Sequence, residues 1–81
     1  MTKAAGAGAA PATAERITIR LNGETRVATR GPVLHLLHTL DLDPRMVVVE
    51  LNRTIVRRQA LQETLIHEGD EIELVHFVGG G

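Results

Sequence analysis

Apolar and polar residues alternate along Arg16-Ile17-Thr18-Ile19-Arg20-Leu21. A period of two puts Ile17, Ile19 and Leu21 on one face and the polar residues on the other, the pattern of a half-buried strand. Asn22-Gly23 comes next. That pair suits the positive φ angles of a type I′ turn, so the sequence predicts a hairpin whose second strand is Glu24–Thr29. The period then lengthens. Val33, Leu36, Leu37 and Leu40 fall at i, i+3, i+4 and i+7, one apolar stripe of a helix. Pro32 is expected at its first position, where the missing N–H costs nothing. Asp43-Pro44 is expected to stop it, because proline pushes the preceding residue out of the α region.

The β-branched run MVVVEL, 46–51, predicts a well-buried strand. Asn52-Arg53 reads as a tight turn into a short strand, Thr54–Val56. Residues 57–65 suit one or two helical turns, and Glu68-Gly69-Asp70 suits a turn. The last strand is expected over 71–78, with Ile72 and Leu74 alternating with Glu71 and Glu73. Two strands, a helix, two strands, a short helix and a strand make an α+β domain. The expected architecture is one helix on one face of a small mixed sheet, joined by a right-handed crossover.

Composition narrows the functions open to such a domain. The chain has 81 residues, enough for one domain. Seven of its nine alanines lie in residues 1–14. Gly6, Gly8 and Pro11 interrupt any helix there, so 1–14 is expected to be a disordered leader, 15–78 the domain and 79–81 a flexible tail. Nine basic side chains against ten acidic give a net charge of −1, which supplies no electrostatic footprint for nucleic acid or anionic membrane. Cysteine is absent, excluding disulfides, thiolate metal sites and a thiol nucleophile. Phe77 is the lone aromatic residue, so no base-stacking platform exists. No apolar run approaches the ~18 residues of a membrane span, and the leader lacks the apolar centre of a signal peptide.

Few side chains suggest chemistry. His35 and His38 lie three apart on the helix, but two ligands do not make a metal site. His67 borders a turn, and His76 stands in an apolar strand, where it is expected to be partly buried and hydrogen-bonded. Asp41 and Asp43 suit turn formation. Glu68, Asp70, Glu71 and Glu73 form an acidic cluster, either a solvated face or a docking surface for a basic partner. No acid–base pair or nucleophile constellation appears, so the chain is not expected to be an enzyme. Gly79-Gly80-Gly81 stands apart. Three glycines cannot pack, but without Cβ atoms they can thread a narrow slot and present an α-carboxylate ~10 Å beyond the sheet.

The Asn22-Gly23 hairpin, GPVLHLL from Gly31, VVVELN from Val47, IVRR from Ile55, TLIHEGDEIE from Thr64 and the final GGG together resemble the ThiS family, the sulfur carriers of thiamine biosynthesis. The resemblance covers about residues 16–81. It implies the β-grasp, ubiquitin-like fold and a cytoplasmic location. It also implies that a partner adenylating enzyme, ThiF, activates the carboxylate of Gly81 with ATP. A persulfide derived from a cysteine desulfurase then displaces AMP and leaves a thiocarboxylate, and thiazole synthase, ThiG, takes the sulfur. No cofactor is bound by the carrier itself; ATP and the persulfide are used by its partners. Three departures stand out: Arg57 where many relatives have proline, Leu61 where they often have an aromatic residue, and the alanine-rich leader.

Ordering the glycine tail costs ~1–2 kcal/mol per residue, so a globular surface must help to bind the partner. Val75 and Phe77, which share a strand face with Glu71 and Glu73, are the candidates. Phe77 is either an anchor of the hot-spot kind or a core residue. Three alternatives to the thiamine carrier are a small subunit of molybdopterin synthase with the same fold and tail chemistry, a ubiquitin-like modifier and a passive β-grasp binding module. Lys3 is the only lysine, so self-conjugation of a modifier would have to use the leader or the α-amine.

Overall fold

The computed structural model describes residues 15–77. Strand β1 (Arg16–Leu21) and strand β2 (Glu24–Thr29) form the expected antiparallel hairpin, with Leu21 opposite Glu24 and Arg16 opposite Thr29. Asn22 (φ 50°) and Gly23 (φ 84°) adopt the left-handed pair that a type I′ turn requires. A two-residue strand β3 (Gly31–Pro32) leads into helix α1 (Val33–Thr39). A 3₁₀ turn over Pro44–Met46 precedes strand β4 (Val47–Leu51), which pairs with strand β5 (Thr54–Val56). A second 3₁₀ turn (Arg58–Ala60), strand β6 (Leu65–Ile66) and strand β7 (Glu71–His76) are the remaining elements of the described residues.

The five-stranded sheet has the order β2-β1-β7-β4-β5. The last strand is thus inserted at the centre, parallel to β1 and antiparallel to β4. The chain from β2 to β4 crosses the sheet through α1, which packs on one face. Val33, Leu36 and Leu37 of the helix are buried in one cluster with Ile17, Ile19, Val49, Ile66 and Ile72. This is the mixed sheet with one helix on one face that the element order predicts, in the β-grasp arrangement that the family resemblance implies.

Both ends of α1 differ from expectation. Pro32 (φ −64°, ψ 149°) is the extended N-cap rather than the first helical residue. Its backbone serves β3, which pairs with β6 through Gly31–Ile66 and Pro32–Leu65. This second, two-stranded sheet is too short to leave a periodicity. At the other end the helix stops before Asp43-Pro44. Asp41 takes φ 63°, its N–H donates to the His38 carbonyl at 3.0 Å, and the Leu42 N–H donates to the Leu37 carbonyl at 2.9 Å. That is a Schellman cap, with aspartate where glycine is usual. Asp43, extended as a pre-proline residue should be, caps the following 3₁₀ turn by accepting from the Arg45 N–H at 2.9 Å. No helix among the described residues is long and apolar enough to cross a membrane.

Candidate functional site

Everything expected of the tail depends on the strand that delivers it. β7 is held from both sides by the two hairpin turns. The Asn52 N–H donates to the Glu71 carbonyl at 2.7 Å, its Oδ1 accepts from the Glu71 N–H at 2.9 Å, and its Nδ2 donates to Asp70 Oδ1 at 3.0 Å. On the opposite side the Asn22 N–H donates to the Ile72 carbonyl at 2.9 Å, and Asn22 Oδ1 accepts from the Leu74 N–H at 2.8 Å. Both asparagines are legible in the sequence as turn formers, but their side-chain role is not. That role needs a third strand beside the turn, and the third strand's position is a tertiary fact.

Alternation along β7 sorts its side chains as expected. Ile72 is fully buried, while Glu73, Val75 and Phe77 project to the outer face; Val75 is 57% and Phe77 51% exposed. Phe77 is therefore not a core residue. Its N–H extends the ladder to the Met46 carbonyl at 2.8 Å. Val48 lies opposite Val75, and Glu50 lies opposite Glu73. The outer face therefore has an apolar end near the chain terminus and an acidic middle in which two carboxylates stand directly across from each other, an unfavourable pair. Arg20 lies beside Glu71 in register, but its guanidinium donates to the Gly23 carbonyl at 3.1 Å. A shallow cleft lined by Glu50, Arg53, Glu71 and Glu73 runs over this region.

The acidic cluster read from the sequence divides in two. Glu68 and Asp70 are loop staples: Glu68 Oε1 accepts from the Thr18 N–H at 3.0 Å and Asp70 Oδ2 from the His67 N–H at 2.7 Å. Only Glu71 and Glu73 belong to the outer face. His76 is exposed instead of partly buried: along β7 the side chains packed into the core stop at Leu74. His35, His38 and His67 are also exposed, and no group of three metal-ligating side chains occurs among the described residues. Leu61 is 2% exposed in the core, so that departure from the family pattern is a matter of packing. Arg57 is exposed. Gly79, Gly80 and Gly81 lie outside the described residues.

A model of the ThiS family matches residues 14–81. The chain is 39% identical over 51 residues to the sulfur carrier protein ThiS of Bacillus subtilis, covering 63% of this chain and 77% of that protein. It is 44% identical over 64 residues to a thiazole synthase of Magnetococcus marinus, covering 78% of this chain but only 20% of the synthase. The crystal structure of a thiamine biosynthesis protein (ThiS) from Geobacter metallireducens superposes with a TM-score of 0.69 at 32% identity, covering 80% of this chain and all of that one.

Proposed function

We propose that this chain, which belongs to the ThiS family, carries the sulfur for thiazole formation in thiamine biosynthesis as a thiocarboxylate on Gly81. The match to the family model through the last glycine, 14–81, is the observation that carries the proposal. The sulfur-carrier name of the Bacillus subtilis relative and the thiamine-biosynthesis fold of the Geobacter protein support it.

The chemistry suits a chain that has neither cysteine nor serine, so that its terminal carboxyl group is the one to be activated. A carboxylate is a poor acceptor until it gains a phosphate leaving group. A partner adenylating enzyme supplies that group from ATP, releasing pyrophosphate. A persulfide sulfur then attacks the Gly81 carbonyl carbon and AMP leaves. Cleavage of the S–S bond by a second thiol, which is oxidised to a disulfide, frees the thiocarboxylate. The work is thereby split into steps that each have a competent nucleophile and leaving group. The carrier is a co-substrate, and the groups that move protons and bind ATP sit on its partners. A thiazole synthase is the acceptor enzyme; a carrier-like segment within the Magnetococcus synthase supports that pairing.

The outer face around Val75 and Phe77, with Glu71 and Glu73 beside it, is the docking surface of this proposal. An exposed phenylalanine beside an exposed valine costs the free protein little stability and gives a partner a desolvated anchor.

Intact-mass measurement tests the central step. Incubation with the adenylating enzyme, ATP and a persulfide donor should replace one oxygen by sulfur, localised to Gly81 by fragmentation. An unchanged mass under those conditions overturns the proposal. Restoration of thiamine-independent growth in a carrier-deletion strain separates the thiamine route from that of the molybdenum cofactor. Phe77→Ala should stay folded yet bind the adenylating enzyme at least ~10-fold more weakly.

A further inference from the structure

Although β7 is the central strand, only its first half has a neighbour on the β1 side. Arg20 pairs with Glu71 and Leu21 with Ile72, and there β1 turns away at Asn22-Gly23. The Asn22 carboxamide substitutes for the next strand residue by accepting from the Leu74 N–H. The backbone groups of Glu71 and Phe77 point at β4, as their bonds to Asn52 and Met46 show, so those of Leu74 and His76 point the other way. Past the Leu74 N–H, the Leu74 carbonyl, the His76 N–H and the His76 carbonyl have no partner among the described residues. An acceptor, a donor and an acceptor thus lie in a row along a strand that β4 holds straight on its other side.

We infer that this half-edge is a strand-addition site for an extended segment of the enzyme that takes the glycine tail. Among the described residues the outer edges of β2 and β5 are also open, but they lie at the margins of the sheet, whereas the β7 half-edge immediately precedes the tail in sequence. A segment paired there would place its outward side chains beside Val75, Phe77 and Glu73, which suits apolar residues with a basic one among them. Backbone pairing supplies affinity without demanding a particular sequence. It would let enzymes of unlike sequence grip one carrier at the same point. The identity of the partner rests on the carrier reading; the open edge does not.

Amide hydrogen exchange on the full chain, with and without the adenylating enzyme, tests the inference. In the free protein the His76 amide should exchange quickly while those of Leu74 and Phe77 are protected; in the complex His76 should become protected. A companion pair of variants separates backbone from side chain. His76→Ala keeps the N–H, and its affinity should match the native chain. His76→Pro deletes an N–H that faces away from β4, a position where strands tolerate proline, and its Kd should rise about tenfold, equivalent to ~1.4 kcal/mol.

A His76 amide already protected in the free chain, or still fast in the complex, overturns the inference, as does a folded His76→Pro variant that binds like His76→Ala. Should the proline variant not fold, the exchange result decides alone. Sulfur loading of Gly81 with His76 unprotected in the complex would sink strand addition and leave the carrier intact. Failure both to bind and to load would remove both.

Discussion

Asn52 is the side chain on which the placement of β7 most depends. In Asn52→Ala two side-chain hydrogen bonds vanish, from the Glu71 N–H and to Asp70 Oδ1. Each contributes ~1 kcal/mol net. Residue 52 also sits at φ 51°, where alanine meets a steric penalty of ~1 kcal/mol that asparagine largely escapes. The sum is ~3 kcal/mol. A domain of this size has a total stability of about 3–9 kcal/mol, so the loss is a large share. At roughly 4–8 °C per kcal/mol, the melting temperature should fall by ~12–24 °C. Asn52→Gly loses the same bonds without the steric penalty and should fall about two-thirds as far. Circular dichroism melts of the three proteins, paired with urea titrations, give the order native, glycine, alanine. An alanine variant within ~3 °C of native, or one above glycine, would refute the account of the clamp.

Three further outcomes follow from particular residues. Arg53 occupies the second position of the β4–β5 turn at φ 71°, so Arg53→Gly should raise stability by ~0.5–1 kcal/mol in a urea titration; a drop would mean that the arginine makes an unrecognised contact. Leu37 is fully buried at the middle of α1, and Leu37→Ala should cost ~2–5 kcal/mol, enough to leave much of the chain unfolded in a thermal melt. The Arg45 guanidinium and backbone N–H hold the Asp43 carboxyl down at about 2 instead of 3.8. Because the folded value is the lower one, its stabilising contribution is present above the unfolded value and is lost as pH falls through the folded one. A carboxyl NMR titration should find that low midpoint and see it rise in Arg45→Ala.

Local patterns were enough to determine most elements. The alternation of Ile17, Ile19 and Leu21 specified which face of β1 is buried, and the i, i+3, i+4 stripe specified the buried face of α1, because side-chain direction follows from backbone period alone. Asn22-Gly23 and Asn52-Arg53 marked their turns through backbone strain that few residues accept. The odd-numbered residues of β7 were legible as one face for the same reason, and so the surface around Val75 and Phe77 could be picked out. Long-range facts were not legible. No local signal tells β7 to enter between β1 and β4, since strand order depends on which pairing buries Ile72 against the helix. From that insertion come the two asparagine clamps, the use of Glu68 and Asp70 as staples, the exposure of His76 and the open half-edge. The pairing of Gly31–Pro32 with Leu65–Ile66 and the Schellman cap at Asp41 belong to the same class. Each satisfies backbone groups through partners that only the folded chain brings within reach.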